Sequence, residues 1–180
     1  MPRLHSTHRR SLAACCVALS ALGILGCSPA PEPEPTPTPA FASEEEAFAA
    51  AEETYRAYND ALNAVDPAEP QTFEPLYALS NGSFERADRE NLSTMHAEGQ
   101  AIEGDAKVID FVGVKSDAPF TTATAIVCLD VSEVVVTDAD GISLVRPDRP
   151  SVYGIEVVFQ LDGHEMLVHS AQRTEEQLCA

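Results

Sequence analysis

The stretch SEEEAFAAAEETYRAYNDALNAVD, residues 43–66, carries the clearest helical pattern in the chain and indicates how the fold begins. Ser43 and Glu46 have the spacing of a capping box, in which a hydroxyl and a glutamate three residues later satisfy free backbone N–H groups. Apolar residues recur at steps of three and four and so share one helical face: Phe48, Ala51, Tyr55, Tyr58, Leu62 and Val65. We therefore predict a long amphipathic helix.

Two shorter helices are predicted next. The segment TFEPLYALSNG, residues 72–82, has Pro75 in its first turn, where a helix tolerates proline because that N–H needs no partner. The segment SFERADRENLSTMHAEG, residues 83–99, has Ser83 as the expected N-cap and Gly99 as the expected C-terminal stop.

Beyond these helices the hydrophobic period changes to two, which is typical of β-strands. Strands are predicted at 107–115, 121–137, 151–160 and 165–173, with the second broken near 130–132. The segments DADG and LDGH are expected to be turns. Three helices followed by antiparallel strands predict an α+β domain, with one helical layer packed on one sheet.

The N-terminus has the pattern of a secretory signal over residues 1–26. A basic start precedes an apolar run of 15 residues, LAACCVALSALGILG, which is shorter than the roughly 20 residues that span a membrane. The residues ILGC resemble the lipobox of bacterial lipoproteins. That resemblance implies diacylglyceryl transfer to the Cys27 thiol, cleavage between Gly26 and Cys27, and an anchor on the extracytoplasmic face of the cell membrane. The alternative is an ordinary signal peptide followed by a chance cysteine.

Proline occupies every second position of SPAPEPEPTPTPA, residues 28–40. Such a segment favours extended polyproline II at about 3.1 Å per residue, so it reaches roughly 40 Å. We predict a lipidated cysteine and tether over 27–40 and one globular domain over 41–180.

The charge of the chain excludes one class of partner. Three of the 11 basic residues lie in 1–26, so 8 remain against all 29 acidic residues, a formal charge of −21. Binding to nucleic acid needs a basic surface, so none is expected, and direct docking on anionic lipid headgroups is disfavoured. A solvated acidic surface is the simplest interpretation, with a cation or a basic partner left open.

Two cysteines lie within the predicted domain, Cys128 in a strand and Cys179 next to the end of the chain. An exported compartment is oxidising, so we predict a disulfide between them. The alternative is two independent buried thiols.

The order of one long helix, two shorter helices and antiparallel strands resembles the NTF2-like, cystatin-like fold. Together with ILGC and the proline tether, the segments EEEAFAAAEETYRAYNDALNAVD, TFEPLYAL, MHAEG and CLDVSEVVVTDADG resemble a group of uncharacterised actinobacterial lipoproteins. The resemblance implies a sheet curved into a cone whose mouth can hold a small apolar ligand. Some members of the fold are isomerases or cyclases of the ketosteroid isomerase and polyketide cyclase type.

Catalysis of that type needs a carboxylate or histidine base that faces a tyrosine or acid donor in the cone. The candidate bases are Asp110 and His169, and the candidate donors are Tyr55 and Tyr58. The alternative for the tyrosines is a place in the amphipathic core, and for Asp110 a solvated strand position. For His169 the alternative is a satisfied histidine in the core or at an edge.

No cofactor and no metal site is predicted. The histidines after the signal are His96, His164 and His169, and no carboxylate–histidine cluster accompanies them. His96 is expected to serve the last turn of its helix, where a histidine interacts favourably with free carbonyl groups.

The leading functional hypothesis is a membrane-anchored, non-enzymatic module that binds a protein partner or a small apolar ligand. One alternative is an extracytoplasmic isomerase or cyclase that uses Asp110 or His169 with a tyrosine. The other is a structural module that forms a homodimer through an open sheet face.

Overall fold

The computed structural model describes residues 39–174 and 179. The helices are α1 (Glu44–Asn63), α2 (Glu74–Tyr77) and α3 (Gly82–Ala97), with a 3-10 turn at Pro70–Thr72. The strands are β1 (Ala101–Glu103), β2 (Lys107–Lys115), β3 (Thr122–Asp130), β4 (Val135–Thr137), β5 (Val152–Asp162) and β6 (Glu165–Arg173). The predicted signal peptide, the lipidation site at Cys27 and most of the proline tether lie outside the described residues. Among the described residues, no helix is long and apolar enough to cross a membrane.

Helix α1 begins as its sequence predicts. The Ser43 hydroxyl accepts a hydrogen bond from the Glu46 N–H at 3.3 Å, and the Glu46 carboxylate accepts one from the Ala42 N–H at 2.8 Å. The reciprocal bond therefore goes one residue further back than in the standard capping box. Three acidic residues in the first turn, Glu44, Glu45 and Glu46, complement the helix dipole.

Helix α3 does not begin at Ser83, which corrects the predicted N-cap. Asn81 is the N-cap, and Gly82 starts the helix with a φ of +62°, a conformation that glycine adopts at little cost. The Ser83 hydroxyl instead donates to the His169 carbonyl oxygen on β6 at 3.3 Å. Tertiary contact with β6, rather than local capping, therefore decides how this helix starts.

The α+β layout is confirmed, with the helices before the sheet in chain order. The main sheet has the strand order β2-β3-β5-β6, and all its neighbours are antiparallel. The predicted break near residue 130 is real, because β4 leaves the main sheet and pairs with β1, a strand that the period of two did not predict. The far edge of β6 is covered at one point by Ser80, which forms a parallel bridge to Val168.

Aromatic rings fill the space between α1 and the main sheet. Phe159 on β5 is fully buried, and its ring contacts the rings of Tyr55 and Phe111 at centroid distances of 6.3 and 6.1 Å. Tyr58 packs against Phe84 of α3 at 5.2 Å. The interior beneath α1 is therefore packed with side chains rather than open.

The structure joins Cys128 and Cys179 in a disulfide, with the two Cα atoms 5.5 Å apart. Cys128 pairs in register with Gly154 on β5. A Cβ atom at Gly154 would lie 2.5 Å from the Thr174 hydroxyl oxygen and 3.0 Å from the Cys179 sulfur. Glycine at this position therefore leaves room for the C-terminal residues on the sheet face opposite the helices.

Candidate functional site

Asp110 lies on the sheet face away from the helices, so it does not meet the tyrosines of α1. The register pairs Val108 with Leu129 and Asp110 with Cys128, with Ile109 as a bulged residue between them. Because residues paired across antiparallel strands share a face, this bulge places Val108 on the core side and Asp110 on the outer side. The exposed Asp110 carboxylate accepts the N–H of Phe111 at 2.9 Å.

His169 also belongs to a bulge, between the pairs Val158–Ser170 and Phe159–Val168. Its Nδ1 lies 2.8 Å from the Asn81 side-chain oxygen, and a Cβ atom at Gly82 would overlap its ring. The imidazole therefore packs on the start of α3 and helps to hold that helix to β6. The structure does not bring His169 to Tyr55 or Tyr58 as a base.

His96 is exposed near the end of α3, and its Nδ1 lies 2.7 Å from the Pro67 carbonyl oxygen. It therefore connects the helix end to the segment that follows α1. The turn at DADG is built by the Asp138 carboxylate, which accepts the N–H groups of Asp140 and Ile142. Among the described residues, no three His, Cys, Asp or Glu side chains converge on a point that could hold a metal ion.

Tyr55 and Tyr58 do face an acidic group, but it is Asp88 of α3. The Tyr58 hydroxyl donates to the Asp88 carboxylate at 3.0 Å, and the charge of Asp88 also acts on Tyr55. The sequence carried a signal for this residue. Asp88 lies four residues after Phe84 and four before Leu92, so it interrupts the apolar face of its own helix.

Burial shifts the pKa values of Asp88 and of the two tyrosines. Loss of solvent raises the pKa of the Asp88 carboxyl to about 6, against an opposing effect of the Tyr58 hydrogen bond. Burial, with the nearby Asp88 charge, raises the pKa of Tyr58 far above its ordinary value, and burial does the same for Tyr55. Both tyrosines therefore stay protonated, and Asp88 is the group that titrates near neutral pH.

We expect the substitution Asp88→Asn to stabilise the protein above pH 6 and to have little effect below pH 4. The folded protein holds the Asp88 proton up to about pH 6, whereas the unfolded chain releases it near pH 4. The favourable contribution of Asp88 is therefore complete below pH 4 and is lost as the pH rises through 6. With allowance for the partial exposure of this carboxyl, the gain at pH 7 is on the order of 1 kcal/mol.

Urea unfolding of both proteins at pH 4, 5, 6 and 7 measures this difference and cancels the titration of the other acidic groups. Asparagine keeps an oxygen that can accept from Tyr58. A variant that is less stable than the parent protein at pH 7 would contradict the expectation.

A groove lies at the end of the domain where α3 terminates, β5 begins and β6 ends. Its volume is about 650 Å³, within the range of small-molecule sites. We call it the arginine groove. Met95, Val136, Leu144 and Pro150 supply apolar walls, and Arg146, Arg149 and Arg173 supply positive charge. This site was not predicted from the sequence, because the three arginines have no common motif.

Two of these guanidinium groups are held by contacts that do not neutralise their positive charge. One terminal nitrogen of Arg149 donates to the carbonyl oxygens of Val131 and Val134, at 2.7 and 2.8 Å. Arg173 stacks on the Tyr153 ring, with its guanidinium carbon 4.2 Å from the ring centroid. Arg146 differs, because it pairs with the Asp148 carboxylate in an exposed salt bridge.

Comparison with known proteins identifies the fold but no family. No protein-family model and no curated protein sequence matches the chain. Among solved structures, the intermembrane space region of the chloroplast protein ARC6 is similar over 70% of this chain and 95% of its own, at 11% identity and a TM-score of 0.50. The protein Aln2 from a Streptomyces species matches over 76% of this chain and 94% of its own, at 13% identity and a TM-score of 0.45. The ARC6 region is an NTF2-like-type fold, and at 11% identity the likeness concerns the fold alone.

Proposed function

We propose that this protein is a lipid-anchored, extracytoplasmic binding module that holds a small, largely apolar ligand in the arginine groove. The single observation that carries the ligand-binding part is the groove itself, which has apolar walls and lies at the end of an otherwise filled interior. The anchored part rests on the sequence, namely the secretory pattern of residues 1–26, the lipobox-like ILGC and the proline tether. We also propose that the domain is NTF2-like and that the protein is a lipoprotein of the actinobacterial group that its sequence resembles.

A matched pair of substitutions in one short segment tests the ligand-binding part. Leu144 lines the groove and Ile142 does not, although both side chains are largely exposed, at 48% and 63%. We expect Leu144→Gln to weaken binding of the neutral dye Nile red about fivefold, because the dye loses apolar contact worth about 1 kcal/mol. Ile142→Gln is expected to bind the dye as the parent protein does. Fluorescence titration measures both affinities.

A third variant controls for dye bound elsewhere. Val112 is 49% exposed on the sheet face away from the helices. Should Val112→Gln lose dye binding while Leu144→Gln keeps it, the groove is not the site. That result would favour the homodimer alternative, because the dye would then bind the exposed apolar surface formed by Ile109, Val112 and Val114.

In the enzyme alternative the two tyrosines remain the candidate donors, but the base must be a residue other than the two predicted from the sequence. The specific observation in its favour is Asp88, a carboxyl with a pKa of about 6 in contact with Tyr58. Asp110 and His169 are held in other contacts, on the outer sheet face and against Asn81. An isomerase or cyclase on this scaffold would therefore use Asp88 in the role predicted for those two residues.

A further inference from the structure

We propose that the ligand of the arginine groove is a monoanion with an apolar body, of the chemical class of a medium-chain carboxylate. This inference rests on the proposed function, because it names the ligand class for the same groove. It is carried by the charges of the lining residues and by the way in which they are held.

Positive charge is concentrated in this groove to a degree that the composition does not predict. Only 8 basic residues follow residue 26, against 29 acidic ones, and three of the 8 line the groove. Asp148 is the acidic residue of the lining, and it is already paired with Arg146. The local balance is therefore positive in a protein that is otherwise strongly negative.

Arg149 and Arg173 provide the charge that remains. Within the described residues, neither forms a salt bridge with a carboxylate. The bonds of Arg149 to Val131 and Val134 use one terminal nitrogen, so the other guanidinium nitrogens are available for an oxyanion. Stacking on Tyr153 orients Arg173 and leaves the edge of its guanidinium plane open to donate. Two oriented guanidinium groups make a suitable receptor for a carboxylate, which binds arginine through paired hydrogen bonds.

The net charge of the protein indicates how many charges the ligand carries, and the apolar walls of the groove indicate the character of the rest of the ligand. Long-range repulsion from the acidic protein grows with ligand charge, so a monoanion is admitted more readily than a dianion. The apolar walls formed by Met95, Val136, Leu144 and Pro150 favour an apolar body, beside the uncharged polar residues Asn91, Thr94 and Gln100. Charge and walls together describe an amphipathic carboxylate.

The test compares three probes with the same ten-carbon chain: decanoate, 1-decanol and decyltrimethylammonium. Isothermal titration calorimetry of the protein is expected to show decanoate as the tightest ligand and decyltrimethylammonium as the weakest. Arg173→Gln and Arg149→Gln should each weaken decanoate at least about tenfold, which is the usual scale for loss of a charge-assisted hydrogen bond. Decanol affinity should change less than twofold.

Arg86→Gln is the matched control, because it makes the same change of charge on α3 at a residue outside the groove lining. It should leave both affinities unchanged. Arg149 also ties the chain to Val131 and Val134, so Arg149→Lys, which keeps the charge, and the independent Arg173 variant guard against a folding defect.

Different results would overturn the anionic ligand alone and the proposed function as a whole. Equal binding of decanoate and decanol, with no effect of the arginine variants, overturns the anionic ligand and leaves the groove as an apolar site. Binding of none of the three probes overturns both proposals.

Discussion

Replacing Cys27 with serine is expected to abolish attachment of fatty acid to this protein. The proposed anchor is a thioether, and a serine hydroxyl is a far weaker nucleophile than a thiol because its oxygen is hardly ionised near neutral pH. Two acyl chains supply stable membrane binding, whereas one alone binds only marginally, so loss of the diacylglyceryl group removes the anchor itself. Metabolic labelling with an alkyne fatty acid in a bacterial host, followed by gel fluorescence, measures the incorporation.

The chain provides its own control in Cys15 and Cys16, which lie in the apolar run of the predicted signal. The double substitution to serine at these positions should retain the label, because the proposed cleavage before Cys27 removes both residues. The intact mass of the labelled protein should correspond to a chain that begins at Cys27. Label that persists in the Cys27→Ser variant would contradict lipidation at this residue.

Removing the Cys128–Cys179 disulfide is expected to cost about 4 kcal/mol of unfolding free energy, the second large effect. The bond closes a loop between residues 51 apart, and in the chain-entropy model a loop of that length restricts the unfolded state by about this amount. For a domain of this size the loss lowers the melting temperature by on the order of 10 °C. The double variant Cys128→Ala/Cys179→Ala avoids leaving one unpaired thiol.

Urea unfolding of the parent protein with and without dithiothreitol, beside the double variant, measures the effect. The reduced parent protein should unfold near the urea concentration at which the variant unfolds, and dithiothreitol should not shift the variant. A parent protein equally stable in both redox states would contradict a stabilising role for this bond.

Most of the secondary structure could be predicted from local patterns. The capping box at Ser43 and Glu46, the proline in the first turn of α2 and the change of period near residue 100 all describe interactions within a few residues. Strand β2 has the predicted bounds, 107–115, because its alternation and its flanking turn residues are local as well. Strand β1 was not predicted, since three residues carry too little periodicity and the strand exists through its pairing with β4.

The side on which a strand residue lies was the least predictable property. Asp110 alternates with Val108 and Val112 in sequence, which predicts one shared face. The bulge at Ile109 moves Val108 to the core side and leaves Asp110 with Val112 on the outer side. A second bulge, at His169, likewise changes which side of the sheet the neighbouring residues of β6 face. A bulge inserts one residue against a partner strand, so it depends on that partner and not on the strand alone.

The sequence by itself determined the helical layer, the four strands of the main sheet and their order along the chain, because these follow from hydrogen bonding and hydrophobic period within single segments. It also carried the lipobox-like pattern at Cys27. Only the tertiary structure decided that Tyr58 meets Asp88 and that Arg146, Arg149 and Arg173 share one groove. Tyr58 and Asp88 lie 30 residues apart, and Arg173 lies 24 residues after Arg149, so their approach depends on how the helices pack on the sheet and where its bulges fall.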